Sequence, residues 1–433
     1  MFSIFRSLDR TKCGREMETE AMTNAKQLAS SRYRAWLGLL ALLMLVAFTA
    51  WIYELRYGLA STGMRNVISW GVYIVTFAFF IKLSAGGLIV ASSAEVFGIT
   101  ELKPLARLGI LTAAACVLVA AATIIPDLGR PARIGNLFLH PNWHSPMVWD
   151  VAIVSAYFLL AAMDLRVMCS GSEPQRKHKL LTMLAIIGLP AAFALHSITA
   201  WIFGLQISRT FWNTALLAPL FVVSAILSGT ALIAIISGAL QRFGGIRLEG
   251  STWRKLSGLM AVSAAIMLFF LFSEYLTVLW GNVPREMVTL KMILPGGAFS
   301  LLFWLEWVIG GIIPFILLVV LQTRRRVGAV VTCAVLILVG VFAFQIELTA
   351  VGMANPLIQL APGTSIGTYT PGRSVFQFVG QYAPTWVEYS IVLGLIAFGA
   401  LLVTVGYRWL GAREFLPTRA ARTDEAMQKA VHA

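Results

Sequence analysis

Residues 68–94 read ISWGVYIVTFAFFIKLSAGGLIVASSA, and Lys82 is the one charge in the stretch. Crossing a hydrocarbon core of about 30 Å takes about 20 apolar residues, and this run exceeds that. Lipid offers a backbone no hydrogen-bond partners, so such a segment crosses as a helix that satisfies its own amides. Nine more runs share this character. The 433-residue chain is 58% hydrophobic and 12% charged, far below the roughly 25% charge of soluble domains. The predicted fold class is all-α: a polytopic membrane protein whose ten helices cover 34–53, 68–94, 105–125, 146–168, 180–203, 212–240, 256–280, 298–321, 327–348 and 387–410. Trp36, Tyr53, Trp70, Trp201, Trp212, Trp280, Trp386 and Trp409 fall near helix ends and read as an interfacial belt.

Within helix 2, LSAGGLIVA (83–91) resembles LSGTALIAI (227–235) in helix 6. Four helices separate the segments, and an even offset preserves direction across the membrane. The spacing predicts two parallel four-helix bundles, helices 2–5 (68–203) and 6–9 (212–348), with helices 1 and 10 peripheral. Small-residue runs of this kind also arise wherever membrane helices pack closely.

The first 33 residues contain Arg6, Arg10, Lys12, Arg15 and Lys26 but no apolar core, so no cleaved signal peptide is expected. Roughly three quarters of the 34 Lys and Arg fall in segments on the N-terminal side of the membrane. The positive-inside rule then places both tails, 1–33 and 412–433, in the cytoplasm, with the chain in the cell membrane. The net charge of +14, concentrated at places such as Arg324, Arg325 and Arg326, suits anionic lipid rather than nucleic acid.

The outer loop between helices 3 and 4 and the start of helix 4, DLGRPARIGNLFLHPNWHSPMVWD (127–150), gather two Asp, two Arg and two of the five His. Ser145-Pro146 reads as a hydroxyl N-cap followed by proline at the first helical position. Asp150 then lies near the positive end of the helix-4 dipole. Asp150, Tyr157 and Asp164 recur every seven residues, which keeps them on nearly one face, with about 10 Å of rise per step. His196, Glu274, Glu306 and Glu347 also fall toward the outer half, Glu347 closing helix 9, whereas Lys82 lies near the middle. A charge in the bilayer costs at least about 2.5 to 3.5 kcal/mol, so such residues face the bundle interior and are functional candidates. Blander readings stand beside this one. Arg130 and Arg133 could pair with lipid phosphate, Asp164 beside Arg166 could be an ordinary end residue, and the three Glu could be protonated structural groups.

Several chemistries are disfavoured. Cys13, Cys116, Cys169 and Cys333 form no C-x-x-C pair for an iron–sulfur cluster or structural zinc, and a bis-His haem would need a second intramembrane His beside His196. There is also no phosphate-cradling glycine loop.

DLGRP with NLFLHPNWHSPMVWDV, then ALHSITAWIFG, SEYLTVLWGNVPRE and YAPTWVEYS, is similar to the NrfD/PsrC family. The likeness covers nearly the whole chain and is to the ten-helix branch that includes the membrane subunits of alternative complex III and hydrogenase 2. Ala132 departs from the acidic residue common after GRP, which puts a salt bridge in that loop in doubt. The resemblance implies a membrane subunit without haem, iron–sulfur cluster or metal of its own. It would exchange electrons between membrane quinol or quinone (menaquinone or ubiquinone) and an iron–sulfur partner on the outer face, itself bound to a molybdopterin or other catalytic subunit.

A quinone gains or loses protons as it gains or loses electrons, so its site needs polar ligands and a proton carrier within hydrogen-bond reach. His140 and Asp150 are the expected catalytic pair. Asp127, Arg130, Asn142, Tyr157 and His196 are the expected quinone ligands. Asp150, Tyr157, Asp164, Lys82, Glu274 and Glu306 are the expected proton path. The long outer segment 349–385, with Ile358, Leu360, Tyr369, Val375, Phe376 and Phe378, is the expected docking surface. A proton- or ion-coupled transporter and a purely structural anchor remain alternatives.

Overall fold

The structure is a computed structural model that describes residues 31–65, 67–96, 98–170, 173–243, 248–320, 324, 326–355, 357 and 382–409. All ten predicted spans form: α1 Ser31–Ser61, α2 Val72–Val96, α3 Lys103–Asp127, α4 Pro146–Met168, α5 Pro174–Gly204, α6 Leu217–Phe243, α7 Gly250–Gly281, α8 Ser300–Val319, α9 Val327–Ala354 and α10 Trp386–Trp409. The chain is a multi-pass membrane protein. α5 and α7 begin earlier than predicted, because hydropathy marks where lipid ends and not where a helix does. α9 continues past Glu347, so this residue does not close the helix. It opens a π-helical segment, Glu347–Val351, and α8 carries another, Trp304–Ile312. Short helices at Pro131–Ile134, Gly135–Leu139 and Pro284–Ile293 lie between spans.

The spans close into the two expected rings. In the first, α2 packs on α3, α3 on α4, α4 on α5 and α5 on α2; in the second, α6, α7, α8 and α9 do the same. The rings meet where α2 lies on α6, with α5 on α6 and α9 on α2 completing the seam. At the centre of that crossing a Cβ on Gly86 would sit 2.1 Å from the Gly229 carbonyl carbon, so only glycine permits the approach. Both glycines belong to the matched segments 83–91 and 227–235, which shows why the repeat is built of small residues. α10 packs on α3 and α2, and α1 meets α10 where Gly394 abuts Ala47.

Hydrogen bonds tie together the loops on the face opposite the start of α1, the distal face: Gly63 N donates to Glu388 (2.7 Å), Thr214 to Glu274 (2.9 Å) and Arg285 to Leu357 O (2.9 Å). Trp36, Tyr53, Trp201, Trp280 and Trp386 are exposed, as belt residues should be. Trp212 is a correction. It is buried, stacks on Trp70 at 5.8 Å and donates its indole N–H to Leu348 O (2.6 Å), so it seals the junction between the rings.

Candidate functional site

α4 supplies the first elements of the site. Pro146 occupies its first turn as predicted, and Ser145 is extended, but the Ser145 hydroxyl makes no capping bond. Asp150, Tyr157 and Asp164 are 3%, 0% and 4% exposed, whereas Trp149, Leu159 and Met163 on the same helix face outward. The seven-residue stripe therefore turns into the first ring. Asp150 Oδ1 lies 2.5 Å from Thr199 Oγ1, which lies 2.9 Å from Leu195 O. A hydroxyl has one proton for two acceptors, so the triangle is fully bonded when the carboxyl itself supplies a proton. Such an arrangement can hold or release a proton at Asp150 Oδ1 without moving a helix.

One turn of α2 joins the deeper groups. Tyr157 Oη donates to Ser84 O (3.0 Å), and His196 on α5 places Nε2 3.1 Å from Ile81 O and Nδ1 2.6 Å from Ala192 O. From the same turn of α2 Lys82 points the other way, across the seam. Its Nζ donates to Gln345 Oε1 on α9 (2.8 Å) and faces the rings of Phe221 and Phe344 at 4.0 and 4.3 Å. Gln345 in turn donates to Thr349 (3.1 Å). Asp164, deeper along α4, takes no hydrogen bond from the described residues.

The other expected residues lie elsewhere. His140, Arg130 and Asn142 are exposed on the distal face, and Asn142 Oδ1 accepts from His144 N–H (3.1 Å), shaping the loop. No contact joins His140 to Asp150 among the described residues, His140 being exposed and Asp150 buried. Glu274 and Glu306 belong to the second ring, where Glu274 accepts from Thr214. Asp127 is half-buried, its Oδ1 has no partner among the described residues, and it faces Glu54 and Glu388. The segment 358–381 of the expected docking surface and the tail residues 1–30 and 410–433 lie outside the described residues.

Thr199, Gln345, Glu54, Tyr73 and Glu388 escaped the sequence reading. Tyr73 donates to Glu54 (2.5 Å), and Glu388 accepts from Gly63 N, Thr385 N and Tyr382 Oη (2.6 Å), pinning α10 to the α1–α2 turn. Burial beside Glu388 pushes the Tyr382 phenol well above its usual range, so it remains a donor there at any physiological pH. A carboxyl inside an apolar helix was the available signal for Glu54, but the predicted span 34–53 stops just before it, whereas α1 runs on to Ser61.

A ten-helix, two-ring bundle that buries a carboxyl, an imidazole and a phenol in its first ring defines an integral membrane subunit with a polar interior. The profile of the NrfD polysulphide reductase family matches residues 60–355, and the chain belongs to this family. It is 36% identical, over 90% of its length and 94% of the relative's, to a Halobacterium salinarum chain named as a membrane subunit of a dimethyl sulfoxide reductase. It is 28% identical, over 90% and 95%, to an Hdr-like menaquinol oxidoreductase integral membrane subunit of Archaeoglobus fulgidus. It is 21% identical, over 82% and 86%, to a menaquinone reductase integral membrane subunit of Nitratidesulfovibrio vulgaris.

Proposed function

We propose that this chain is the quinone-interacting membrane subunit of a respiratory oxidoreductase complex, passing electrons between membrane quinol or quinone and an iron–sulfur subunit on the outer face. Family membership and the names of the relatives support the class, and the distal face is taken as the outer one from the Lys and Arg distribution. The observation that carries the site is the Asp150–Thr199–Leu195 triangle at the distal end of the first ring. There a quinone carbonyl can meet a carboxyl able to accept or give its proton. Tyr157 and His196 are polar groups below it, and Arg130, Asn142 and Asp127 border the loop above. His140, exposed on the surface, exchanges the proton with solution. The iron–sulfur subunit docks on the distal face; residues 349–354 of the expected docking segment are the buried end of α9, so the contact falls to the segment beyond it, 355–385, and a molybdopterin or other catalytic subunit completes the complex.

The stripe Asp150, Tyr157, Asp164 then forms a proton path toward the N-terminal side. Two steps of about 10 Å span most of a core of about 30 Å, and ordered water bridges the gaps. Asp150→Asn keeps the shape but removes the proton acceptor, so quinol-linked turnover of the assembled complex falls by about 10² or more. Unchanged turnover in both Asp150→Asn and His140→Ala refutes the site.

A further inference from the structure

The second ring buries a pair of carboxyls that the proposed quinone site does not use. Glu306 on α8 and Glu347 on α9 are each 2% exposed and lie against one another. Both Glu306 oxygens and Oε2 of Glu347 find no donor among the described residues unless the pair itself carries a proton, while Glu347 Oε1 accepts from Tyr275 Oη on α7 (2.7 Å). Carboxyl oxygens without a donor in an apolar bundle are costly, and a proton held by the pair is what supplies one.

The backbone supports the same reading. Glu306 lies in the π-helical segment Trp304–Ile312, and Glu347 opens the π-helical segment Glu347–Val351. A π turn widens a helix and re-aims its side chains at a loss of regular bonding, and such turns recur at functional sites. Here two of them, on adjacent helices, carry the two carboxyls. The helices are drawn together beside the pair, since a Cβ on Gly310 would come within 2.3 Å of the Gly340 Cα.

We infer that Glu306 and Glu347 form a proton-binding site inside the second ring, with Tyr275 as its hydrogen-bond donor and Lys82 as its counter-charge at the seam. Two adjoining carboxylates away from water share at least one proton and titrate as a unit. The groups facing Glu306 are Glu347 from α9, Tyr275 from α7 and Lys82 from α2. A pair holding one proton is a single negative charge, which Lys82 balances when it carries its own proton. A second proton taken up by the pair leaves the Lys82 charge uncompensated. Because Lys82 shares its helical turn with the carbonyls that receive His196 and Tyr157, that imbalance is felt in the first ring as well. A metal cation fits less well, because the closest polar neighbours are a hydroxyl donor and an ammonium. The site is read independently of the quinone assignment, and only its use during turnover rests on that assignment.

The test is infrared difference spectroscopy of the full chain in lipid nanodiscs, without quinone or partner, as pH is changed. A protonated-carboxyl carbonyl band is expected, lost in Glu306→Gln and in Glu347→Gln and moved in frequency by Tyr275→Phe, which keeps the ring but removes the donor. Lys82→Met shifts the pH at which the band titrates. A band unaltered by all four substitutions overturns the inference, as does a band that sodium ions abolish at constant pH. Should a Glu variant not fold, Tyr275→Phe and Lys82→Met decide alone, and a spectrum unmoved by both overturns the site. Failure here leaves the Asp150 assay untouched, and failure of that assay leaves this band in place.

Discussion

Lys82 and Gln345 hold the two rings together through a charge with few partners, and a double-mutant cycle exposes what each contributes. The Lys82 ammonium has one hydrogen bond of 2.8 Å, to Gln345 Oε1, and two aromatic faces at 4.0 and 4.3 Å. Gln345→Leu removes the acceptor but leaves the charge buried, so the full-length chain loses about 1.5 to 3 kcal/mol, the worth of a hydrogen bond to a charged group. Lys82→Met removes an ammonium whose presence in lipid costs about 2.5 to 3.5 kcal/mol. It forfeits that hydrogen bond and two ring contacts of about 0.5 to 2 kcal/mol each. At mid-range these terms leave a net loss of about 2 kcal/mol, so Lys82→Met is comparable to Gln345→Leu. With both replaced, neither partner is orphaned, and the double variant recovers about 1 to 3 kcal/mol relative to the sum of the singles. Denaturant unfolding in detergent micelles measures each corner of the cycle. A double variant whose loss equals that sum refutes the pairing.

Other consequences test separate parts of the structure. Gly86→Val places a Cβ 2.1 Å from Gly229 where ordinary contact is 3.4–4 Å, so the rings must part; a loss of about 1 to 3 kcal/mol or more is expected in the same unfolding assay. Asp164→Asn abolishes the membrane potential formed during quinol turnover in proteoliposomes, or slows turnover, and a potential formed at the wild-type rate leaves Asp164 an ordinary interfacial carboxylate. Deleting residues 363–373 releases the iron–sulfur subunit while the helices stay inserted, as co-purification from solubilised membranes reports; a complex that stays whole places docking elsewhere.

The ten spans and both rings were legible because lipid demands long apolar helices and because 83–91 and 227–235 repeat the same small-residue surface. The inward stripe of α4 was legible for a related reason: seven residues return a helix to nearly the same face. What periodicity could not supply was partnership between helices. Thr199 and Gln345 are unremarkable in sequence, and their roles come from where α5 and α9 bring them. His140 marks the limit of proximity along the chain. Closeness in sequence to Asp150 suggested closeness in space, but the two short helices of residues 131–139 leave it at the surface while α4 carries Asp150 inward. The π-helical segments around Glu306 and Glu347 were not legible either, since apolar period and composition mark a span but not its local winding.

Photo-labelling with an azido-quinone, followed by peptide mapping of the complex in native membranes, tests the central claim most directly. The account places the label on the distal halves of α4 and α5, around Asp150 and Thr199, displaced by excess quinol and lost in Asp150→Asn. Label confined to α6–α9, or label on α4 and α5 that excess quinol does not displace, contradicts it.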